Sequence, residues 1–396
     1  MKVERSRADR IVESDNADGD APQAANQGEE RRLTLHDFLK TCVKSGGSDV
    51  HLQAGSTPMV RVDGRARFLD CSPPTDDAMK EFVDQIMDSQ GEPAEKRHIL
   101  EHKGAVDVAY VLPNVARFRT NIFHSREKLA ITMRRIVAKI PRFDELNLPP
   151  QVETLAEHSR GIVIVSGTTG SGKSTTLAAI IGKINRTRCE RIITVEDPIE
   201  YQHDNAKSLV SQVEVGTDSE SYEYALRSMM RQDPDTILIG EMRDTFSLST
   251  ALRAADTGHL VFTTVHATNA AMTIERMVSL FDPMQKELQQ AQLGLNLVAV
   301  CCMRLAKRRD GKGRVPVIEL MQATPLVRKY ILDGEYEKLK GTVGNREAGC
   351  QSFDQHLTEL FQKQIIDVAE AKRLASNVDA LNLALRGIGN SDTRLR

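Results

Sequence analysis

Eight residues, Gly167-Thr-Thr-Gly-Ser-Gly-Lys-Ser174, do most to limit what this chain can fold into. They follow the apolar run Ile162-Val163-Ile164-Val165 and precede a helix expected from about Thr175. The pattern G-x-x-x-x-G-K-[ST] between a strand and a helix is a phosphate cradle. Glycines let the loop fold back so that successive backbone N–H groups point at a β-phosphate, and the helix N-terminus adds a partial positive charge. The candidate ligand-binding residues are therefore Gly167, Thr168, Thr169, Gly170, Ser171, Gly172, Lys173, Ser174 and Thr175. In this reading Lys173 reaches the β- and γ-phosphates, and the Ser174 hydroxyl holds Mg²⁺. The alternative is a glycine-rich turn without chemistry. ATP or GTP is the expected ligand.

The runs Ile162–Val165, Ile192–Val195, Ile237–Ile239 and Leu260–Val265 alternate with helical stretches, as in a parallel α/β sheet. Each ends in polar or glycine-rich residues, and ligands bind beyond the carboxyl ends of such strands. The four tips are expected to converge on one site. The second tip reads Glu196-Asp-Pro-Ile-Glu200, the third Gly240-Glu241-Met-Arg-Asp244, and the fourth ends in His266. Phosphoryl transfer needs a positioned metal, an oriented water and neutralisation of charge on the γ-phosphate. Glu241 is suited to polarise the water, and Glu200 is a candidate on the metal side, with Ser174. A helix N-terminal acid that complements the dipole is the alternative for Glu241. His266, with His259 at the other end of its strand, could bond the γ-phosphate or be a satisfied structural residue. Arg227 and Arg231 are four apart and expected on one helical face. They and Arg117, Arg119, Arg134 and Arg135 are candidates for an arginine supplied from a neighbouring domain or subunit.

Residues 1–32 carry eight acids, six bases and no aromatic residue. Such a segment cannot bury enough apolar surface to offset its ordering entropy, so a disordered tail is expected. A small α+β domain follows over 33–140. Leu35, Phe38, Leu39 and Val43 recur at helical spacing, Asp63-Gly64 signals a hairpin, and strands are expected at 105–111, 116–123 and 130–136. Prolines mark 141–152 as a linker, 153–270 is the nucleotide-binding core, and 271–396 reads as helical. There, Phe353, Leu357, Leu360 and Phe361 share one face, and Asp367 with Glu370 resembles a capping box. The net charge of −2 gives no sign of a nucleic-acid partner. The stretch Leu295–Met303 is too short to span a bilayer, and the charged N-terminus lacks a signal-peptide core. The six cysteines form no C-x-x-C pair and are expected to be buried and inert in a reducing cytoplasm.

Five ordered segments, 167–175, 195–201 (Val-Glu-Asp-Pro-Ile-Glu-Tyr), 226–235 (Leu-Arg-Ser-Met-Met-Arg-Gln-Asp-Pro-Asp), 239–244 (Ile-Gly-Glu-Met-Arg-Asp) and 258–266 (Gly-His-Leu-Val-Phe-Thr-Thr-Val-His), resemble the motifs of the type II/type IV secretion ATPase superfamily. Within it the chain is similar to pilus-retraction, or twitching-motility, ATPases. The resemblance runs from about Leu33 to Leu381 and includes 48–55, 59–64 and 352–357. It implies a PAS-like N-terminal domain, a RecA-like P-loop ATPase domain and a ring-shaped hexamer. It makes Glu241 the Walker B catalytic glutamate, assigns Glu200 to the Asp box and His266 to the His box, and places Arg227 and Arg231 in the arginine motif. Arg117 and Arg134 correspond to the family's first-domain arginines. The implied cofactors are ATP and Mg²⁺. The implied partners are an inner-membrane pilus platform protein and a paralogous ATPase, with membrane association only through partners at the cytoplasmic face.

The four-cysteine zinc motif of assembly-type relatives is missing, which favours retraction, whereas Pro325–Gly334 only partly matches the C-terminal segment usual in retraction ATPases. The function expected is a hexameric motor for type IV pilus retraction. The alternatives are a pilus assembly or type II secretion ATPase, or an accessory nucleotide-binding regulator of the main retraction motor.

Overall fold

The structure is a computed structural model that describes residues 33–62, 64–90, 93–136 and 140–386. The expected tail over 1–32 and the hairpin residue Asp63 lie outside the described residues. The chain divides into two compact units after residue 138.

The first unit contains α1 (Leu35–Lys44), β1 (Gly47–Gln53), β2 (Ser56–Val62), β3 (Arg65–Phe68), α2 (Asp76–Asp88), α3 (Pro93–Lys103), β4 (Ala105–Leu112), β5 (Ala116–Ser125) and β6 (Lys128–Ile136). Its sheet is antiparallel, in the order β3-β2-β1-β6-β5-β4. Thr34 caps α1 in a reciprocal box with Asp37, which fixes where the helix begins. Leu35, Phe38 and Leu39 of α1, with Met79, Phe82 and Ile86 of α2, share one buried cluster with Val50, Val60, Phe118, Ile122 and Met133 of the sheet. Alternation along the strands leaves the other face polar.

The second unit begins with α4 (Phe143–Leu146) and α5 (Pro150–Glu153). The stretch expected as a linker is thus partly helical, and Val152, just before Leu155 and Ala156, is fully buried with β-strand and helix residues of the core. Then follow β7 (Gly161–Gly167), α6 (Lys173–Thr187), β8 (Arg191–Glu196), β9 (Leu209–Glu214), α7 (Tyr222–Met229), β10 (Thr236–Ile239), α8 (Thr245–Asp256), β11 (Leu260–Val265), α9 (Ala270–Ser279) and α10 (Pro283–Asn296). The chain continues through β12 (Leu297–Lys307), β13 (Arg314–Gln322), α11 (Pro325–Leu332), α12 (Tyr336–Gly344), α13 (Phe353–Gln362), α14 (Val368–Leu374) and α15 (Val378–Leu385).

The sheet order is β13-β12-β7-β11-β10-β8-β9, parallel throughout except for β13 on β12. The connection leaves β7 in one direction for β8, works back through β10 and β11, and places β12 on β7's far side. This is the RecA-like core, with a C-terminal region rich in helices. Every residue of β7, β10 and β11 is buried, as central parallel strands require. Ile162 and Ile164 face one hydrophobic layer and Val163 and Val165 the other, so helices cover both faces.

The helical pattern expected past residue 270 is interrupted by β12 and β13, which extend the same sheet. Leu297–Met303 runs beside β7 and is buried on both faces, apart from a half-buried Val298, and an apolar run of that kind lacks the alternation that marks a strand. Of the capping box expected at α14, only half forms. Asp367 accepts the Glu370 N–H, while the Glu370 carboxylate is engaged by Arg373 and by the Lys307 N–H.

Candidate nucleotide-binding site

β7 ends at Gly167 and α6 begins at Lys173. Gly167 has φ 151°, and a Cβ on it would lie 2.5 Å from Ser171 Oγ and 2.7 Å from the Met303 carbonyl oxygen. No other residue fits there. Gly172, with φ 99°, is the N-cap of α6 and supplies no side chain to cap it. The first-turn N–H groups of α6 have no carbonyl partner within the helix and face out of its end. Thr168, Thr169 and Gly170 are exposed, Ser171 is buried, and Ser174 and Thr175 are half-buried. Lys173 Nζ donates to the carbonyls of Gly167 at 3.0 Å and Thr168 at 3.1 Å. Burial pulls the lysine below its ordinary pKa, against the opposing charges of Glu241 and Glu200.

Glu241 follows β10 through Gly240. Its backbone is gripped by Tyr222, whose hydroxyl donates to the Glu241 carbonyl (2.9 Å) and accepts its N–H (3.2 Å). The Thr264 hydroxyl on β11 holds the preceding Gly240 carbonyl at 2.6 Å. With the backbone fixed on both sides, the carboxylate accepts from Arg243 Nε at 2.8 Å on Oε2 and lies 3.3 Å from His266 Nε2 on Oε1. Burial and the nearby Lys173 charge hold His266 below its ordinary pKa, although Glu241 works the other way. The contact at neutral pH is therefore the close approach of a neutral imidazole to the carboxylate, not an ion pair. Arg276 Nη1 donates to the His266 carbonyl at 2.6 Å and fixes that residue from α9.

The acidic segment after β8 is held as closely. Its Asp197–Pro198 peptide is cis. Asp197 Oδ2 lies 3.3 Å from Arg243 Nη1, which ties this tip to Glu241. Tyr201 Oη is 2.8 Å from Thr175 Oγ1. Glu200 is exposed and near enough for its charge to act on Lys173. The carboxyl of Glu196 is buried, which raises its pKa, and it accepts from Thr194 Oγ1 (2.7 Å) and Gln212 Nε2 (3.1 Å).

The tips of β7, β8, β10 and β11 thus meet around Lys173. His259 does not join them. Its Nδ1 lies 2.9 Å from the Ala254 carbonyl, at the amino end of β11, where it finishes α8. Arg227 and Arg231 do not share a helical face, because α7 stops at Met229. Arg227 pairs with Glu223 and sits over the Phe246 ring; Arg231 is exposed beyond the helix. In the first unit, Arg134 is exposed on β6 and donates from Nε to Asp49 Oδ1 at 2.8 Å. Burial works against ionising Asp49, yet hydrogen bonds from Ser48 and Arg134 hold its carboxyl below the usual range. Arg117 is half-buried on β5, next in the sheet, with Arg119 facing Asp107 at 4.0 Å.

Tyr222, Gln212 and Arg276 surround the site and are passed over by motif reading, whereas Arg243 lies inside the 239–244 segment but carries no assigned role there. Only Arg243 carries a local signal, two residues after Glu241. The others reach the site across long stretches of chain. The donors beside the loop, the Ser174 hydroxyl and the carboxylates of the Glu196–Glu200 segment, are all oxygens. That set fits Mg²⁺, which takes few protein ligands and completes its shell with water and phosphate oxygens.

Loop, lysine, strand order and the acid at the third tip together define a P-loop nucleotide-binding protein. More narrowly, the family model described as type II/IV secretion system protein matches residues 23–373, and the chain belongs to that family. It is 39% identical over 327 residues to the twitching motility protein of Neisseria gonorrhoeae, covering 82% of this chain and 86% of that one. It is 37% identical over 344 residues to the type IV pilus retraction ATPase PilT of Pseudomonas aeruginosa, covering 87% and 98%. The solved structure of the pilus retraction motor PilT with bound ADP superposes with a TM-score of 0.80 at 37% identity, covering 88% and 98%.

Proposed function

We propose that this chain is a Mg²⁺-dependent ATPase that assembles as a homo-hexamer and powers type IV pilus retraction, and hence twitching motility. The observation that carries the reading is the approach of Glu241, held by Arg243 and flanked by His266, to the P-loop lysine. The relatives that carry pilus-retraction and twitching-motility names cover most of the chain, which supports the same reading.

In this mechanism the N–H groups of 167–175 and the Lys173 ammonium bind the β- and γ-phosphates. Mg²⁺, held by Ser174 with Glu200 behind it, would neutralise phosphate charge. Glu241 orients a water and accepts its proton as the water oxygen bonds to the γ-phosphorus. The bond from that phosphorus to the β–γ bridging oxygen breaks, leaving ADP and phosphate. His266, beside the same carboxylate, carries the change in Glu241's surroundings into α9 through the backbone that Arg276 holds. Arg227, Arg231, Arg117 and Arg134 are the candidates for stabilising transition-state charge, in the same subunit or the next. The ring works at the cytoplasmic face of the inner membrane on a pilus platform protein, alongside a paralogous ATPase. Among the described residues no helix is long and apolar enough to cross a membrane, so attachment through partners is consistent.

Deleting the gene tests the direction of force. Hyperpiliated, non-twitching cells are expected. Bald cells would assign the protein to assembly, and piliated cells that still twitch would exclude it as the main motor.

A further inference from the structure

We propose that Gln212, on the edge strand β9, is the residue that positions Glu200 against the P-loop. The inference rests on the assignment of Glu200 to the metal side of the site.

β8 and β9 pair in parallel with Thr194 opposite Gln212 and Glu196 opposite Glu214, so Glu196 and these two β9 side chains stand beside the segment that leaves β8. Gln212 spends every polar group of its side chain there. Nε2 donates to Glu196 Oε1 at 3.1 Å and to the Tyr201 carbonyl at 2.8 Å, while Oε1 accepts the His203 N–H at 2.7 Å. The backbone N–H of Glu200 lies close enough to favour the charged form of the Glu196 carboxyl. Buried Glu214 accepts the Ile199 N–H at 3.1 Å. The residues on both sides of Glu200 are therefore fixed by β9, and Tyr201 Oη is anchored to Thr175 one residue from Ser174. A glutamine is the side chain this geometry needs, because it must donate to one carboxylate and one carbonyl and accept one N–H. Gln212 touches no phosphate-binding atom itself; it acts through Glu200.

The test uses the full chain as wild type, Gln212→Glu, Gln212→Leu and Glu200→Gln. Equilibrium affinity for a fluorescent ADP is measured in EDTA and in Mg²⁺, alongside kcat and KM for ATP. Gln212→Glu keeps the shape but turns the donor into an acceptor facing Glu196 and Tyr201. Displacing a positioned group by an ångström lowers rates by up to about a hundredfold, so a loss of about tenfold in kcat is expected, with KM changed less. The gain in ADP affinity that Mg²⁺ confers should shrink in both Gln212 variants, while affinity in EDTA stays at the wild-type value. Unchanged EDTA affinity also shows that the P-loop is folded, and either variant alone suffices if the other is unstable. If Glu200→Gln loses the Mg²⁺ gain and folded Gln212 variants keep it, this inference is wrong and the assignment of Glu200 stands. If Glu200→Gln keeps the gain, that assignment falls and the inference with it.

Discussion

His266 Nε2 stands 3.3 Å from Glu241 Oε1, bringing together the tips of two neighbouring parallel strands. His266→Ala should lower kcat by up to about a hundredfold, the scale on which displacing a catalytic group acts, while His266→Gln, which keeps a polar side chain of similar reach beside Glu241, recovers part of it. Burial lowers the imidazole's pKa from its ordinary value, so the neutral form dominates at neutral pH. Steady-state rates against pH should then show no histidine limb above 6.5 that His266→Gln removes.

Lys173 contributes a charged donor at the phosphates. Such a bond is worth about 1.5–3 kcal/mol, so Lys173→Ala should weaken ATP binding by roughly tenfold to a hundredfold or more. Calorimetric titration measures it. The fold should persist, because the amine donates to carbonyls of its own loop.

Much of this site is legible in the sequence because its chemistry lies in short, local patterns. The glycines at 167 and 172 announce backbone that only glycine adopts, and Glu241 directly follows an apolar strand and one glycine. What is not legible depends on distant pairing. β9 reads Leu-Val-Ser-Gln-Val-Glu, a mixed edge strand without an apolar run, so Gln212 gives no sign of the carbonyl, carboxylate and amide it will meet. β12 is hidden for the opposite reason, since a run buried on both faces has no period to read. Arg227 and Arg231 show the limit of spacing alone, because four residues apart means one face only if the helix continues.

Acid should destabilise the second unit through two buried histidines. His356 Nδ1 accepts the Ile318 N–H at 2.9 Å and must be unprotonated to do so. Burial pushes both His356 and His203 down to about 4. The unfolded chain takes up these protons near pH 6.5, so stability is complete above that value and is lost as pH falls towards 4. Each shift corresponds to at most about 3 kcal/mol by pH 4. Urea midpoints at pH 7.5 and 4.5 should differ less in His356→Gln, whose amide oxygen can accept the same N–H without titrating.

The cysteines separate by exposure, against the expectation that all are buried. Cys189 is exposed and Cys71 half-buried, whereas Cys42, Cys301, Cys302 and Cys350 are buried. Burial raises the Cys42 thiol to about 11 and Cys301 to about 12, so neither forms thiolate at neutral pH. Labelling the native protein with a thiol reagent should modify Cys189 first, and Cys189→Ser should remove that fast phase.

The rate of ATP hydrolysis by Glu241→Gln, with ATP affinity measured on the same preparation, tests the central claim most directly. Loss of turnover by about a hundredfold or more with ATP still bound is the expected result for removing the group that orients and deprotonates water. A variant that hydrolyses ATP at the wild-type rate would contradict the account.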